Sequence, residues 1–136
     1  MKNKTIRCLG IDWGEKRIGL ALGDSETGIA TPFKVVGSIN EILEIIKSED
    51  INSVVVGRPI SIVNQELVIM NQKYNNFIGK LKEKTNISVE FFDERLTSKA
   101  ADALAGNKKT KAARDAVAAM IILQSYLDRY NANAAN

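Results

Sequence analysis

The sequence predicts an α/β domain built on a five-stranded mixed sheet of order 3-2-1-4-5, and three observations carry that prediction. Two apolar runs near the start, Ile6 to Ile11 and Ile18 to Leu22, are separated by a short glycine-containing turn, which is a hairpin pattern. Two later runs, Val54 to Val56 and Val89 to Phe92, each follow a helix-period segment. Strands reached through helices join a sheet in parallel. The 136 residues suffice for one domain with its own core.

The first strand, Ile6-Arg7-Cys8-Leu9-Gly10-Ile11, delivers Asp12 to an edge of the sheet. Gly10 and Gly14 on either side leave room for something to approach the backbone. Ile18 to Leu22 returns as the second strand. Thr31-Pro32-Phe33-Lys34-Val35-Val36 is the third, its proline at the start, where a strand tolerates a missing amide. Ser38-Ile39-Asn40-Glu41 is a capping box that opens a helix with Ile39, Ile42, Leu43 and Ile46 on one face. Val54-Val55-Val56-Gly57 is the continuous apolar run of a strand buried on both faces. The next helix gathers Leu67, Met70, Tyr74, Phe77, Ile78 and Leu81 on one stripe. Val89 to Phe92 is the fifth strand and ends in Asp93-Glu94-Arg95. Thr97 or Ser98 caps a short helix reaching about Leu104. Lys108 to Arg114 is a basic connection, the last helix runs to about Tyr130, and Asn131 to Asn136 is expected to fray.

Strands one to three form an antiparallel meander, and right-handed crossovers place the fourth and fifth parallel to the first. Flanked by helices, this is the ribonuclease H-like layout, expected as a single domain over residues 1–136. In such sheets a site forms outside the carboxyl ends of the parallel strands. Asp12, the Gly57-Arg58-Pro59 turn and Glu94 fall at that edge.

The chain has no histidine and one cysteine. That excludes Ser-His-Asp and Cys-His catalysis, and zinc sites built on His or Cys. A bound metal would need oxygen ligands, so magnesium or manganese is expected. Cys8 has no partner for an internal disulfide and reads as a small buried apolar residue. There is no signal-peptide pattern, and no apolar run near the roughly 20 residues that span a bilayer. A cytoplasmic protein with no membrane partner is expected. The formal net charge of +3 suits a nucleic-acid partner without demanding one.

Hydrolysing a phosphodiester at neutral pH needs an activated water and a stabilised leaving oxygen. Two metal ions about 4 Å apart do both where several carboxylates converge. Asp12 is the first candidate, against the structural role of capping a strand-end turn. Glu94 follows an apolar strand and precedes a capped helix; its competing role is a solvated turn carboxylate paired with Arg95. Asp93 points to the opposite face of the strand, so only one of the two acids enters a site. Asp115 lies in the first turn of the last helix, where the helix dipole favours a carboxylate for structural reasons alone. Ala112, Ala113, Ala116, Ala118 and Ala119 around it would let the helix pack close to the sheet, though alanines are also good helix formers. Lys108, Lys109, Lys111 and Arg114 precede that helix, a natural place for phosphate contacts, and Lys16 and Arg17 form a second basic pair near Asp12. Asp102 and Asp128 read as exposed helix residues. Trp13 could stack on a base, against the commoner fate of a partly buried turn aromatic.

With these residues placed, the chain resembles the YqgF family, a ribonuclease H-like group related to RuvC-type Holliday junction resolvases. Four blocks carry the match. They are Gly10-Ile11-Asp12-Trp13-Gly14 with Lys16-Arg17-Ile18-Gly19-Leu20-Ala21; Val54-Val55-Val56-Gly57-Arg58-Pro59; Asp93-Glu94-Arg95-Leu96-Thr97-Ser98 with Ala100; and Asp115 with Ala118-Ala119 and Ile122-Leu123-Gln124-Ser125-Tyr126-Leu127-Asp128. They span nearly the whole chain in the family's order. The resemblance implies a cytoplasmic nuclease that helps mature the 5′ end of pre-16S ribosomal RNA, with the acidic positions on Asp12, Glu94 and Asp115. Lys16, Arg17, Arg95, Lys108, Lys109, Lys111 and Arg114 are the expected substrate contacts. Where the family has a leucine-rich segment ending near an Asp-Gly pair, this chain has Ile60-Ser61-Ile62-Val63-Asn64-Gln65-Glu66, and Arg58 replaces the common leucine. That loop is expected to border the substrate groove.

A magnesium-dependent nuclease on structured RNA is therefore the expected function, with a junction-resolving endonuclease on branched DNA second. A kinase-like ATP-binding fold would also place Asp-x-Gly after a strand, but the chain is too short for its two lobes. A non-catalytic ribosomal-RNA-binding module would keep the basic surface and not need the acids. The pattern carries no signal for a particular oligomeric state.

Overall fold

The computed structural model describes residues 5–58, 60–63, 66–69, 72–93 and 111–134. Its strands are Arg7–Asp12 (β1), Ile18–Asp24 (β2), Ala30–Val36 (β3), Ser53–Arg58 (β4), Ile60–Val63 (β5), Glu66–Ile69 (β6) and Ser88–Asp93 (β7). Its helices are Ile39–Ser48 (α1), Gln72–Lys84 (α2) and Lys111–Ala134 (α3). Five strands form the main sheet in the order β3-β2-β1-β4-β7. β1 runs antiparallel to β2 and β2 to β3, while β4 and β7 are parallel to β1. This is the order expected from the sequence.

Alternation along the strands feeds two cores. Leu9, Ile11, Leu20, Val54 and Val56 pack with Ile42 of α1 and Phe77 and Leu81 of α2. Cys8, Ala21 and Val55 pack on the opposite face with Ala119, Ile122, Leu123 and Leu127 of α3. Consecutive valines of β4 thus enter different cores, which is why that strand is apolar throughout. Full burial of Ile122, Leu123 and Leu127 contributes roughly 1.5–3 kcal/mol each to docking α3.

α1 begins at the expected capping box: the Ser38 side chain accepts from Glu41 N, and the Glu41 carboxylate accepts from Ser38 N at 3.1 Å. Its buried residues are Ile42 and Ile45. Pro32 sits on the edge strand β3, where the register slips between Leu20 and Ala21, the kind of irregularity at which an edge strand carries a proline.

Three expectations are corrected. Where a loop is expected over 60–66, residues 60–63 and 66–69 are two antiparallel strands, with Ile60 opposite Ile69 and Val63 opposite Glu66. Leu67 therefore lies in β6 and not on the stripe of α2, which begins at Gln72. The last helix extends to Ala134, so residues 131–134 are helical. Its far half is held to the β2–β3 loop, because Gln124 Nε2 donates to Gly28 O at 2.7 Å and Gln124 Oε1 accepts from Ala30 N at 2.8 Å. The short helix expected over 97–104 lies outside the described residues.

Candidate active site at the carboxyl edge of the sheet

Asp12 is the last residue of β1 and is half-buried. Alternation puts it on the α3 side with Cys8 and Gly10, while Leu9 and Ile11 face α1 and α2. Its register partner in β2 is Gly19. A methyl group on Gly19 would collide with the carbonyl of Asp115, and one on Gly10 would come within 2.9 Å of the Ala119 carbonyl. Two glycines on neighbouring strands are thus the surface on which α3 lies. The alanines of α3 supply the other half of that close fit, with Ala116 and Ala119 buried.

This packing brings Asp115 beside the end of β1. Arg17, in the turn between β1 and β2, fixes its carboxylate: Nε donates to Oδ2 at 2.9 Å. Asp115 is the fifth residue of α3, one turn further in than the sequence suggested, because the helix already starts at Lys111. Lys111 and Arg114 accordingly belong to the helix and not to an exposed connection. Lysine, alanine and arginine are good helix formers, and the charge run masked that propensity.

The neighbouring strand is pinned from the other face. Ile11 pairs with Val56, so Gly57 follows beside Asp12, and the buried Tyr74 hydroxyl of α2 donates to Gly57 O at 3.2 Å. Arg58 pairs with Asp93 in register, and its guanidinium lies 5.2 Å from the Phe91 ring centre, as does Lys82 Nζ. The arginine that replaces the family's leucine thus covers an aromatic ring of β7. Helical periodicity marks Tyr74 only as a core residue; its phenolic oxygen is the one signal of a polar duty.

Asp12 and Asp115 therefore share one edge and one face, and Lys16 and Arg17 are exposed in the adjoining turn. Glu94, Arg95, Lys108, Lys109 and Asp102 lie outside the described residues. Asp128 is exposed and accepts from Gln124 Nε2 at 2.9 Å. Among the described residues no group of three or more His, Cys, Asp or Glu side chains is gathered. The two carboxylates at this edge are hard oxygen donors, and they fit a magnesium-like cation. Cys8 does not compete for it: burial pushes its thiol up to about 11.

A five-stranded mixed sheet of this order, flanked by helices, defines a ribonuclease H-like fold. Fowlpox virus resolvase bound to Holliday junction DNA has this fold, with a TM-score of 0.56 at 11% identity over 92% of this chain and 99% of that one. T. thermophilus RuvC in complex with a Holliday junction has it too, with a TM-score of 0.55 at 15% identity over 92% and 96%. At these identities the likeness is one of fold.

The chain belongs to the RuvX family: the model of that family, described as Holliday junction resolvase, matches residues 6–129. Its relatives include a protein of Clostridioides difficile, 39% identical over 90% of this chain and 94% of its own length. One of Chloroflexus aggregans is 38% identical over 94% and 96%, and one of Maridesulfovibrio salexigens is 34% identical over 91% and 99%. Each carries the description "Putative pre-16S rRNA nuclease".

Proposed function

We propose that this chain is a cytoplasmic nuclease that hydrolyses phosphodiester bonds of structured RNA in maturing the 5′ end of pre-16S ribosomal RNA. Asp12, Glu94 and Asp115 are the carboxylates that hold magnesium or manganese. The observation that carries this reading is the position of two acids far apart in sequence at one sheet edge: Asp12 is in register with Gly19, and the Asp115 backbone packs on that same glycine. Glu94 is next in sequence after Asp93, the last residue of β7, and Phe92 of that strand packs in the core beneath α3. The descriptions of its relatives support the choice of RNA.

Bound divalent ions would supply an activated water and neutralise the charge that develops on the leaving oxygen. The chain's own residues do the rest. Arg17 orients Asp115. Lys16, Arg17, Lys111 and Arg114, with Arg95, Lys108 and Lys109, hold backbone phosphates by charge-assisted hydrogen bonds. Without histidine, no neutral imidazole is available as a general base, so carboxylates carry the proton.

The second reading is a resolvase-like endonuclease on branched DNA, favoured by the description of the family model that matches this chain. End-labelled pre-16S RNA and a four-way DNA junction, each with and without magnesium, separate the two. Magnesium-dependent cutting of the RNA near the mature 5′ end is expected. Paired nicks in the junction with intact RNA would replace this reading with the resolvase. Binding without cutting of either would leave the binding module.

A further inference from the structure

On the opposite side of the sheet edge from α3 lies a cavity of about 280 Å³, lined by Trp13, Ile18, Ile39, Lys73, Asn76, Phe77 and Lys80 among others. Resting on the nuclease reading above, we infer that this cavity receives one unpaired base of the substrate strand, next to the edge at which Asp12 stands. The sequence makes the two positions adjacent. Trp13 follows Asp12 directly, and consecutive Cα atoms are about 3.8 Å apart. Asp12 falls on the α3 side of the sheet, whereas Trp13 packs with the core beneath α1 and α2. A strand crossing the edge therefore meets carboxylates on one side and an aromatic ring on the other.

The lining has the chemistry of a base slot. Trp13 is half-buried and braced edge-on by Tyr74, with ring centres 5.7 Å apart, and by Phe77 at 6.4 Å. A braced ring loses little freedom when a base stacks on it, and stacking accepts any base. Ile18, Ile39 and Phe77 are an apolar floor. Lys73, Asn76 and Lys80 recur at helical spacing along the exposed face of α2. Asn76 offers an amide for a base edge and Lys80 an ammonium group for a phosphate. The volume, about 280 Å³, is at the low end of the roughly 300–1,000 Å³ of small-molecule pockets and has room for a single base. Unpaired RNA is commonly read by aromatic stacking with hydrogen bonds to the base edge. Glu15 is the acidic member of the lining; facing a polyanion, it opposes binding.

Trp13 is the only tryptophan of the chain, so tryptophan emission comes from this one residue. The whole protein is titrated in calcium with a 12-nucleotide single-stranded RNA and with a duplex of the same sequence, following tryptophan emission and the anisotropy of end-labelled probe. Saturable quenching is expected with the single strand and not with the duplex. Asn76→Ala and Lys80→Gln lie on an exposed helix face and leave the fold intact; each should raise the midpoint about three- to ten-fold. Glu15→Gln should lower it. Trp13→Ala should cost about ten-fold or more, the scale of a single base stack, and Trp13→Phe should recover part of it. Anisotropy change without quenching, indifferent to Asn76→Ala and Lys80→Gln, would overturn the slot and leave the nuclease reading standing. Failure of the protein to bind the RNA by either readout would overturn both.

Discussion

Arg17 Nε donates to Asp115 Oδ2 at 2.9 Å, joining the first hairpin turn to the third helix across 98 positions of sequence. The arginine side chain is 43% exposed and the aspartate 26%, so screening keeps the contribution to stability at or below about 1 kcal/mol. Its effect is on direction: it holds one carboxylate oxygen beside the end of β1.

In the proposed metal site a cation would compete with the guanidinium for that oxygen. Arg17→Ala should therefore lower the magnesium concentration that half-saturates cleavage, while raising the KM for RNA because one phosphate ligand is removed. Thermal unfolding should move by no more than about 1 kcal/mol of stability. Arg17→Lys retains a charge but not the fixed Nε–H direction, and should restore KM more than the metal dependence.

Packing at Gly19 tests how α3 is placed. A methyl group there meets the backbone of Asp115 and Ala116, which cannot rotate away. Gly19→Ala should cost on the order of 1–3 kcal/mol, as overpacking does, and reduce cleavage by shifting Asp115. Gly79, inside α2, has nothing within 4 Å of the same added carbon. Gly79→Ala should stabilise by roughly 0.5–1 kcal/mol through helix propensity with cleavage unchanged. Urea unfolding of the two variants beside the parent gives opposite signs if α3 docks as described.

The sheet order and the strand-end position of Asp12 were legible because period-2 runs, helix-period runs and crossover handedness are local signals with few alternatives. Ile60 to Ile69 was not. Leu67 fits a helical stripe with Tyr74 and Phe77 as well as it fits a strand, and short apolar runs are ambiguous in period. The two β-branched runs separated by Asn64-Gln65 were the hairpin signal that the stripe obscured. At the site, alanines around Asp115 foretold a close-packed helix. The glycines that receive it sit on two other strands, and the Arg17 ion pair depends on their register, which no single window of sequence displays. The base slot was hidden for the same reason: its members come from the hairpin turn, the start of α1 and the middle of α2.

Neutralising Lys108, Lys109, Lys111 and Arg114 together should weaken RNA binding and flatten its salt dependence. Each phosphate that is no longer neutralised takes roughly 0.7–0.9 off the slope of log K against log salt. Lys111 and Arg114 belong to α3, so glutamine, a good helix former, is the replacement that spares the helix. An unchanged slope in the quadruple variant would show that these charges face solvent and not phosphate.

Alkaline pH should destabilise the fold through Cys8. The thiol titrates at about 11 in the folded chain against 9.0 for an unperturbed group, raised by burial and by Asp24 and opposed by a Ser53 hydrogen bond. Between those values the folded state holds a proton that the unfolded state has released. Its stability is complete below about pH 9 and declines as pH rises toward 11, by at most about 1.4 kcal/mol per pH unit. Tyr126, raised by burial and by Glu90, adds in the same direction. Cys8→Ala should flatten the decline in urea midpoints over that range, although the variant is less stable at neutral pH because the core is less well filled.

The decisive substitution is Asp12→Asn, which keeps the shape of the side chain and removes its charge. With no histidine in the chain, activation of water in the proposed reaction would depend on carboxylates and the cations they would hold. Cleavage should therefore vanish with a chelator and return with magnesium. Calcium should support binding and poor cleavage, because its longer, more variable coordination misplaces the attacking water. Asp12→Asn should abolish cutting in magnesium. RNA affinity should be kept or increased, since one negative charge leaves a surface that faces phosphate. The fold should be kept, because asparagine preserves the shape and hydrogen-bonding capacity of a half-buried strand-end side chain. End-labelled RNA on a denaturing gel, with anisotropy for affinity, checks both halves. Cutting by pure Asp12→Asn protein at the parental rate would remove Asp12 from the chemistry, and with it the reason for Asp115 to stand beside it.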